Sequence, residues 1–235
     1  MIYFIGCSFT WGAGLQYEYL YNNKIKTAEE CQENYKNGQW YSIPYEPNRY
    51  RKNKRFAHLS SKELNEDYEV LNVCNGGSNK NTFDILSKSP FDGVTLTIVQ
   101  LTDWLRNFPN PPYTQKNVHK YFGEDMGRGE IRKQIHEIKN LVNSRNSEVL
   151  FLSWQTDVGD VLKDDFSEYH IPIILEDKVV NCFTDIIDRN YRFNDSRWEC
   201  KYKSRICDVI PGHHDTHFSS FGHQIVADSI VKKLK

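Results

Sequence analysis

Short apolar runs, rich in β-branched and aromatic residues, recur along the chain and predict buried strands. A run of this length with few charges is typical of a strand covered on both faces in a parallel sheet. The four clearest runs are Ile2–Ile5, Tyr68–Val73, Val94–Gln100 and Glu148–Ser153, and two weaker candidates are Ile171–Leu175 and Ile206–Ile210.

Between these runs, apolar residues repeat at helical spacing and predict amphipathic helices. The predicted helices are Phe56–Leu64, a segment that ends near Leu86, Arg128–Asn146 and Ser220–Leu234. Strands that alternate with helices favour an α/β fold in which helices cover both faces of a mainly parallel sheet of about five strands.

Two segments, at about 16–55 and 155–208, do not fit this alternation. The first has no clear periodicity, contains Pro44 and Pro47, and leaves the sheet at the end of the first strand. Long irregular segments in compact domains are often functional, so we expect either a lid or pocket wall, or a surface insertion without a role in chemistry. The chain is thus predicted to be one domain over residues 1–235, with an insertion at about 16–55 and an elaborated segment at about 155–208.

Charge and composition bear on which kinds of partner the protein has and where in the cell we expect it. The net charge is −1 over 235 residues, which gives no indication of a nucleic acid or membrane partner. No apolar run approaches the ~20 residues of a membrane helix, and no basic segment precedes the first apolar run. We therefore expect a cytoplasmic protein, and its many Asn and Lys residues would suit a phage or an AT-rich bacterium. The six cysteines form no Cys-x-x-Cys pair, which predicts reduced thiols.

Small polar residues follow three of the predicted strands, at Gly6–Ser8, Asn75–Asn79 and Gln100–Asp103. The carboxyl ends of parallel strands meet at one edge of the sheet, where open α/β folds bind their ligands. The sequence therefore predicts a site at this edge.

Residues 211–223, which lead into the last predicted helix, contain further side chains that could take part in catalysis: His213, His214, Asp215, His217 and His223. A serine hydroxyl becomes a useful nucleophile when an imidazole takes its proton. A carboxylate on the other ring nitrogen fixes the tautomer, and backbone N–H groups in glycine turns can stabilise the oxyanion. Of these histidines, His223 is expected to pack at the start of the last helix.

Three segments in this order resemble the SGNH (GDSL-type) hydrolases: Gly6-Cys7-Ser8-Phe9-Thr10, Asn72 to Ser78, and Asp215-Thr216-His217 with Gly222-His223. The resemblance implies a flavodoxin-like three-layer α/β/α sandwich that hydrolyses a small acyl ester, such as a carbohydrate O-acetyl group, without a cofactor or metal. It also implies that Ser8 is the nucleophile, His217 the base and Asp215 its acidic partner, and that the amides of Ser8 and Gly77 form an oxyanion hole.

The chain departs from the family pattern at three places. Cys7 replaces the usual Asp before the serine, and Thr102 stands where the family has an oxyanion Asn. The family's acid lies three residues before the histidine, a position that His214 holds here, so Asp215 is offset by one residue and Asp208 is a second candidate for that role.

Three alternatives remain open on the sequence alone. The histidine-rich loop (His213, His214, Asp215, His217) could bind a metal in a metal-dependent hydrolase. Cys7 could replace Ser8 as the nucleophile. The scaffold could also be a catalytically weak binding or structural protein, because fold does not prove chemistry.

Candidate contacts with substrate are Trp11, Asn79 and Trp104, since aromatic rings can stack on sugars. The aromatic residues of the 16–55 insertion could instead bind a protein partner or a second copy of the chain.

Overall fold

A computed structural model describes residues 1–27, 29–31, 33, 44–71, 77–107, 118–175, 178–185, 187–188, 199–200 and 217–235.

The centre of the protein is a parallel sheet of four strands. They are β1 (Ile2–Ile5), β2 (Tyr68–Val70), β3 (Leu96–Leu101) and β4 (Glu148–Ser153), in the order β2-β1-β3-β4. Ile2 lies opposite Tyr68 on one side and Leu96 on the other. Beyond β4, a single parallel bridge joins His170 to Phe151. The chain places β2 on one side of β1 and then crosses over to place β3 and β4 on the other side, which is the flavodoxin-like arrangement. The predicted fold class is therefore confirmed.

Helices lie around the sheet, and eight of them have both ends in the described part of the chain. They are α1 (Ser8–Trp11), α2 (Leu15–Asn22), α3 (Tyr45–Lys54), α4 (Phe56–Leu64), α5 (Asn79–Lys88), α6 (Val118–Asn143), α7 (Thr156–Asp165) and α8 (Ser220–Leu234). Two short 3₁₀ helices are Trp104–Asn107 and Phe183–Asp185.

The alternation of side chains along the strands divides the core into two layers. Phe4 and Ile98 point to the face covered by α4 and α8, where Phe56 and Val226 are buried. The next residues along each strand belong to the opposite layer, which α5, α6 and α7 cover. The result is a three-layer sandwich. The turn after β1 lies at the edge of the sheet that the carboxyl ends of the strands form.

Several predicted boundaries need correction. The segment 16–55 is not irregular throughout, because it contains most of α2 and all of α3, and these two helices pack against each other. The helix predicted at Arg128–Asn146 starts ten residues earlier, at Val118, and ends at Asn143.

The weaker strand candidates have different outcomes. Only Ile173–Leu175 of the first forms a strand (β5), and it pairs antiparallel with β6 (Lys178–Val180) outside the main sheet. A second small antiparallel pair joins β7 (Ile187–Asp188) and β8 (Glu199–Cys200). The candidate at Ile206–Ile210 lies outside the described residues. Among the described helices, none has the length and apolar character needed to cross a membrane.

Candidate active site

Ser8 stands at the carboxyl edge of the sheet, on the turn that follows β1. Cys7 has extended backbone angles and precedes α1, and Ser8 is the first residue of that helix. An α-helix leaves its first amides without an intrahelical acceptor, so the N–H of Ser8 is available by position. Gly12 ends α1 with a φ of 83°, in the left-handed region that favours glycine.

Gln100, at the end of the neighbouring strand β3, holds this turn in place. Its buried Oε1 accepts hydrogen bonds from the Cys7 N–H at 3.1 Å and the Thr10 hydroxyl at 3.2 Å. The Cys7 thiol also lies 3.0 Å from this oxygen. Gln100 belongs to the Gln100–Asp103 segment predicted to border the site, but its contact with the serine turn has no local signal in the sequence.

Gly6 allows this close approach between β1 and β3. A methyl group placed at Gly6 would lie 2.7 Å from Gln100 Cβ and would collide with the Thr10 hydroxyl. A side chain at residue 6 would therefore push the serine turn away from β3.

His217 lies directly before α8 and reaches back over the serine turn. Its Nε2 is 2.7 Å from Ser8 Oγ, a normal hydrogen-bond distance. The imidazole is buried, while the serine side chain is partly exposed. Phe9 packs against the imidazole with 4.9 Å between ring centroids. The predicted nucleophile and base are therefore brought together from opposite ends of the chain.

A buried carboxylate, Glu18 of α2, anchors the segment that carries His217. Its oxygens accept hydrogen bonds from the Ser220 N–H at 2.8 Å, the Ser220 hydroxyl at 2.5 Å and the Tyr50 hydroxyl at 3.0 Å. Burial and the charge of Glu18 raise the pKa of Tyr50 to about 12, so the phenol stays a donor. The negative charge of a carboxylate at this position also interacts favourably with the positive, N-terminal end of the α8 dipole. No local feature of the sequence indicates this contact, which spans 202 residues.

His223 lies one turn into α8 and is completely buried. Its Nδ1 accepts the N–H of Phe56, the first residue of α4, at 3.3 Å. Burial, followed by the nearby His217 and Arg55, lowers the pKa of His223 to about 3. This placement agrees with the packing role predicted for it.

Gly77, Asn79 and Thr102 form a second connection at the sheet edge. The Thr102 N–H donates to Asn79 Oδ1 at 2.8 Å, and the Thr102 hydroxyl lies 3.1 Å from the Gly77 carbonyl and 3.3 Å from Asn79 Oδ1. The amide of Asn79 also donates to Gln134 Oε1 at 2.9 Å. This geometry favours a role for Thr102 and Asn79 in holding the Gly77 turn, rather than the predicted contacts with oxyanion and substrate.

The two tryptophans proposed for substrate contact have different surroundings. Trp11 is partly exposed, and the guanidinium of Arg51 lies 3.6 Å above its ring. Trp104 is only 2% exposed, belongs to the core beneath α6 and α7, and donates its indole N–H to Asp157 at 3.1 Å. Its placement favours a packing role, since an apolar ring gains more from the core than from solvent.

The surroundings of Cys7 favour a structural role. Its side chain is buried in the core, faces Gln100 and lies 4.0 Å from Ser8 Oγ. Of the remaining predicted residues, the acid Asp215, its substitute Asp208 and the metal candidates His213 and His214 lie outside the described residues. Within the described part, no group of three or more potential metal ligands is found.

A scan against models of protein families finds no match, and neither does a search of curated protein sequences. A search of solved structures finds similar chains. One is a lipolytic protein of the G-D-S-L family from Desulfitobacterium hafniense, with 8% identity, a TM-score of 0.47, and coverage of 99% of this chain and 98% of the other.

Two further structures are similar at the same level. A carbohydrate esterase has 14% identity and a TM-score of 0.45, over 99% of this chain and 67% of the other. An extracellular lipase from Streptomyces rimosus has 10% identity and a TM-score of 0.48, over 99% of this chain and 97% of the other. The structures that this chain resembles are thus lipolytic and esterase proteins.

Proposed function

We propose that the protein is a serine ester hydrolase that acts by acyl transfer on a small acyl ester. The observation that carries the proposal is the 2.7 Å contact between Ser8 Oγ and His217 Nε2. A nucleophile and a base within hydrogen-bond reach, at the ligand-binding edge of a parallel sheet, form the basic unit of nucleophilic catalysis.

The reaction follows from the atoms in contact. Ser8 Oγ attacks the ester carbonyl carbon while its proton passes to His217 Nε2. The tetrahedral intermediate then collapses, the alcohol leaves with that proton, and an acyl-serine remains. A water molecule, deprotonated by His217, attacks the acyl-serine and releases the acid and the free serine. All steps exchange protons and an acyl group only, so they require no cofactor.

The oxyanion hole is proposed to consist of the N–H groups of Ser8 and Gly77. The Thr102 hydroxyl is bonded to the turn that it supports, so it would have to rotate to reach an oxyanion. Loss of one oxyanion donor costs about 10²–10³ in rate, so we expect a slow enzyme unless this rotation occurs on binding. Asp215 is proposed to orient His217 through Nδ1.

The proposed substrate is an acyl group on a carbohydrate, with acetyl as the first candidate. The partly exposed ring of Trp11, three residues after Ser8, supports this choice, because an indole face can stack on a sugar ring.

Hydrolysis of p-nitrophenyl acetate and butyrate tests the proposal. We expect multiple turnovers by the wild-type protein, and a fall in kcat of about 10³-fold or more in Ser8→Ala and in His217→Gln. The matched control is Ser87→Ala, which removes a partly buried serine on α5 whose hydroxyl donates to the Asp84 carbonyl of the same helix. Undiminished turnover in Ser8→Ala would overturn the proposal, and no turnover by the wild type on either ester would favour the binding-protein alternative.

A further inference from the structure

Helix α3 contributes two buried arginines to the region beside the serine turn. Arg51 is 3% exposed, and Arg55, one helical turn later, is 9% exposed. Both side chains pack on the loop that follows α1, since a methyl group placed at Gly12 would lie 3.1 Å from Arg55 Cβ and 3.4 Å from Arg51 Cγ. The two stems therefore lie against the loop that leaves the helix of Ser8.

These guanidinium groups have few partners for buried charges. Arg51 donates to the Trp11 carbonyl and, at 2.7 Å, to Asn48 Oδ1, but its buried Nε has no hydrogen-bond partner. The buried Nε of Arg55 also has none. The Arg55 guanidinium lies 5.7 Å from the centroid of the Tyr68 ring, a long distance for a cation–π contact.

Arg51 and Arg55 repel each other, and neither has a counter-ion among the described residues. Burial and the charge of Arg55 lower the pKa of Arg51 to about 10. Among the described ion pairs, none includes Arg51 or Arg55. The buried carboxylate of Glu18 is already bonded to Tyr50 and Ser220.

His223 adds a third unpaired donor. Because its Nδ1 accepts the Phe56 N–H, its proton lies on Nε2 in the neutral ring. That buried Nε2 has no hydrogen-bond partner, and Arg55 is close enough to disfavour protonation of the ring. In the described part of the chain, this region thus combines two buried cations with three unpaired donors, which makes it complementary to an oxyanion, since burying such charges without a counter-ion is unfavourable.

We propose that Arg51 and Arg55 bind an oxyanion group, a carboxylate, sulfate or phosphate, carried by the ester substrate. That the ester substrate carries this oxyanion rests on the proposed esterase function. Binding of an oxyanion at the two arginines does not depend on that function. Trp11 and Asn48, which both contact Arg51, are partly exposed, so we expect the oxyanion to enter on their side. The esters preferred by the enzyme would then be acidic.

Thermal unfolding with and without inorganic phosphate tests the anion site independently of catalysis. At millimolar phosphate, below the range in which the salt stabilises proteins by exclusion, the Tm of the wild type should rise with concentration as for a bound ligand. The matched control Arg49→Gln removes an exposed arginine of the same helix and should show the same rise.

In Arg55→Met the phosphate-dependent rise should disappear. In phosphate-free buffer this variant should be at least as stable as the wild type, because an uncompensated buried charge has been removed. If Arg55→Met does not fold, Arg55→Lys, which keeps the charge but not the planar fork, should show a reduced rise. No phosphate effect on the wild type, or an equal effect on Arg55→Met, would overturn the anion site.

A comparison of kcat/KM for an acidic and a neutral ester of similar shape tests whether the bound anion is part of the substrate. The wild type should have a higher kcat/KM for 4-acetoxybenzoate than for neutral 4-acetoxybenzamide, and Arg55→Met or Arg55→Lys should reduce that ratio about tenfold or more, as expected for one charge-assisted hydrogen bond. A phosphate-dependent Tm with an unchanged ratio would mean that the site binds free anions, and would overturn the substrate assignment. No hydrolysis of either ester would refute the proposed function and leave the phosphate result to decide the anion site.

Discussion

The buried imidazole of His223 should make the protein lose stability as the pH falls from 7 to 5. In the folded protein, burial and the neighbouring His217 and Arg55 lower the pKa of this ring from 6.5 to about 3. In the unfolded chain, the ring is free to take up a proton near its ordinary value. The unfolded state therefore binds more protons than the folded state below about pH 6.5, and acid favours unfolding.

The size of the effect follows from these two pKa values. Below pH 6.5, each unit of pH costs about 1.4 kcal/mol for one proton bound only in the unfolded state. Between pH 7 and pH 5 the free energy of unfolding should fall by about 2 kcal/mol through His223 alone. The loss continues down to about pH 3, where the folded state also takes up the proton.

Urea unfolding followed by tryptophan fluorescence at both pH values measures this loss. The variant His223→Asn retains an acceptor near the Nδ1 position for the Phe56 N–H but cannot take up a proton. Its stability at pH 7 should be lower because part of the ring is removed from the core. Its further loss between pH 7 and pH 5 should be about 2 kcal/mol smaller than that of the wild type.

Taking the difference between the two proteins removes the contributions of other groups. Burial also lowers the pKa values of His58 and His170, but both residues are present in the wild type and the variant. The control His136→Asn changes an exposed histidine of α6 and should keep the wild-type pH dependence. Equal losses in His223→Asn and the wild type would refute the neutral, buried state of His223.

Two further substitutions test how the catalytic pair is held. Gly6→Ala should cost about 1–3 kcal/mol of stability and lower kcat, because the added methyl group meets Gln100. Gly129→Ala on α6, where nothing lies within 4 Å of the added carbon, should be neutral or stabilising in the same urea titration. Glu18→Gln should cost about 1–3 kcal/mol and lower kcat more than it raises KM, since the contact with Ser220 positions His217. The exposed Glu30→Gln serves as its control, and equal kinetics in the two variants would argue against this role.

Much of the fold follows from local pattern. The strands β1, β3 and β4 are short runs of largely apolar, buried residues. The two termini of α8 coincide with the predicted Ser220–Leu234. Parallel strands bury both faces, so their sequence needs no long-range information to be recognised.

The helices of the 16–55 segment could not be recognised in the same way. In α2 five of the eight residues are buried, and the polar Gln16 and Glu18 are among them, so no amphipathic face appears in the sequence. In α3 the buried residues are Pro47 and Arg51, and the rest of the helix is strongly polar. Periodicity detects a helix only when its buried face is apolar.

The residues of the site also fall into those that a local motif identifies and those that only the tertiary structure identifies. Ser8 and His217 are identified by their motifs, since the nucleophile turn and the loop before the last helix have local signatures. Gln100 and Glu18 act across 93 and 202 residues, and their partners are fixed only when the layers assemble. Their roles therefore depend on tertiary structure.

Activation of Ser8 by His217 is most directly tested by labelling with a fluorophosphonate and weighing the intact protein. An activated serine displaces fluoride and gains one phosphonyl group, while His217 takes the proton. We predict a single adduct on the wild type and on Ser87→Ala, none on Ser8→Ala, and labelling at least 10²-fold slower on His217→Gln. An adduct on Ser8→Ala equal to that on the wild type, or none on the wild type, would contradict this account.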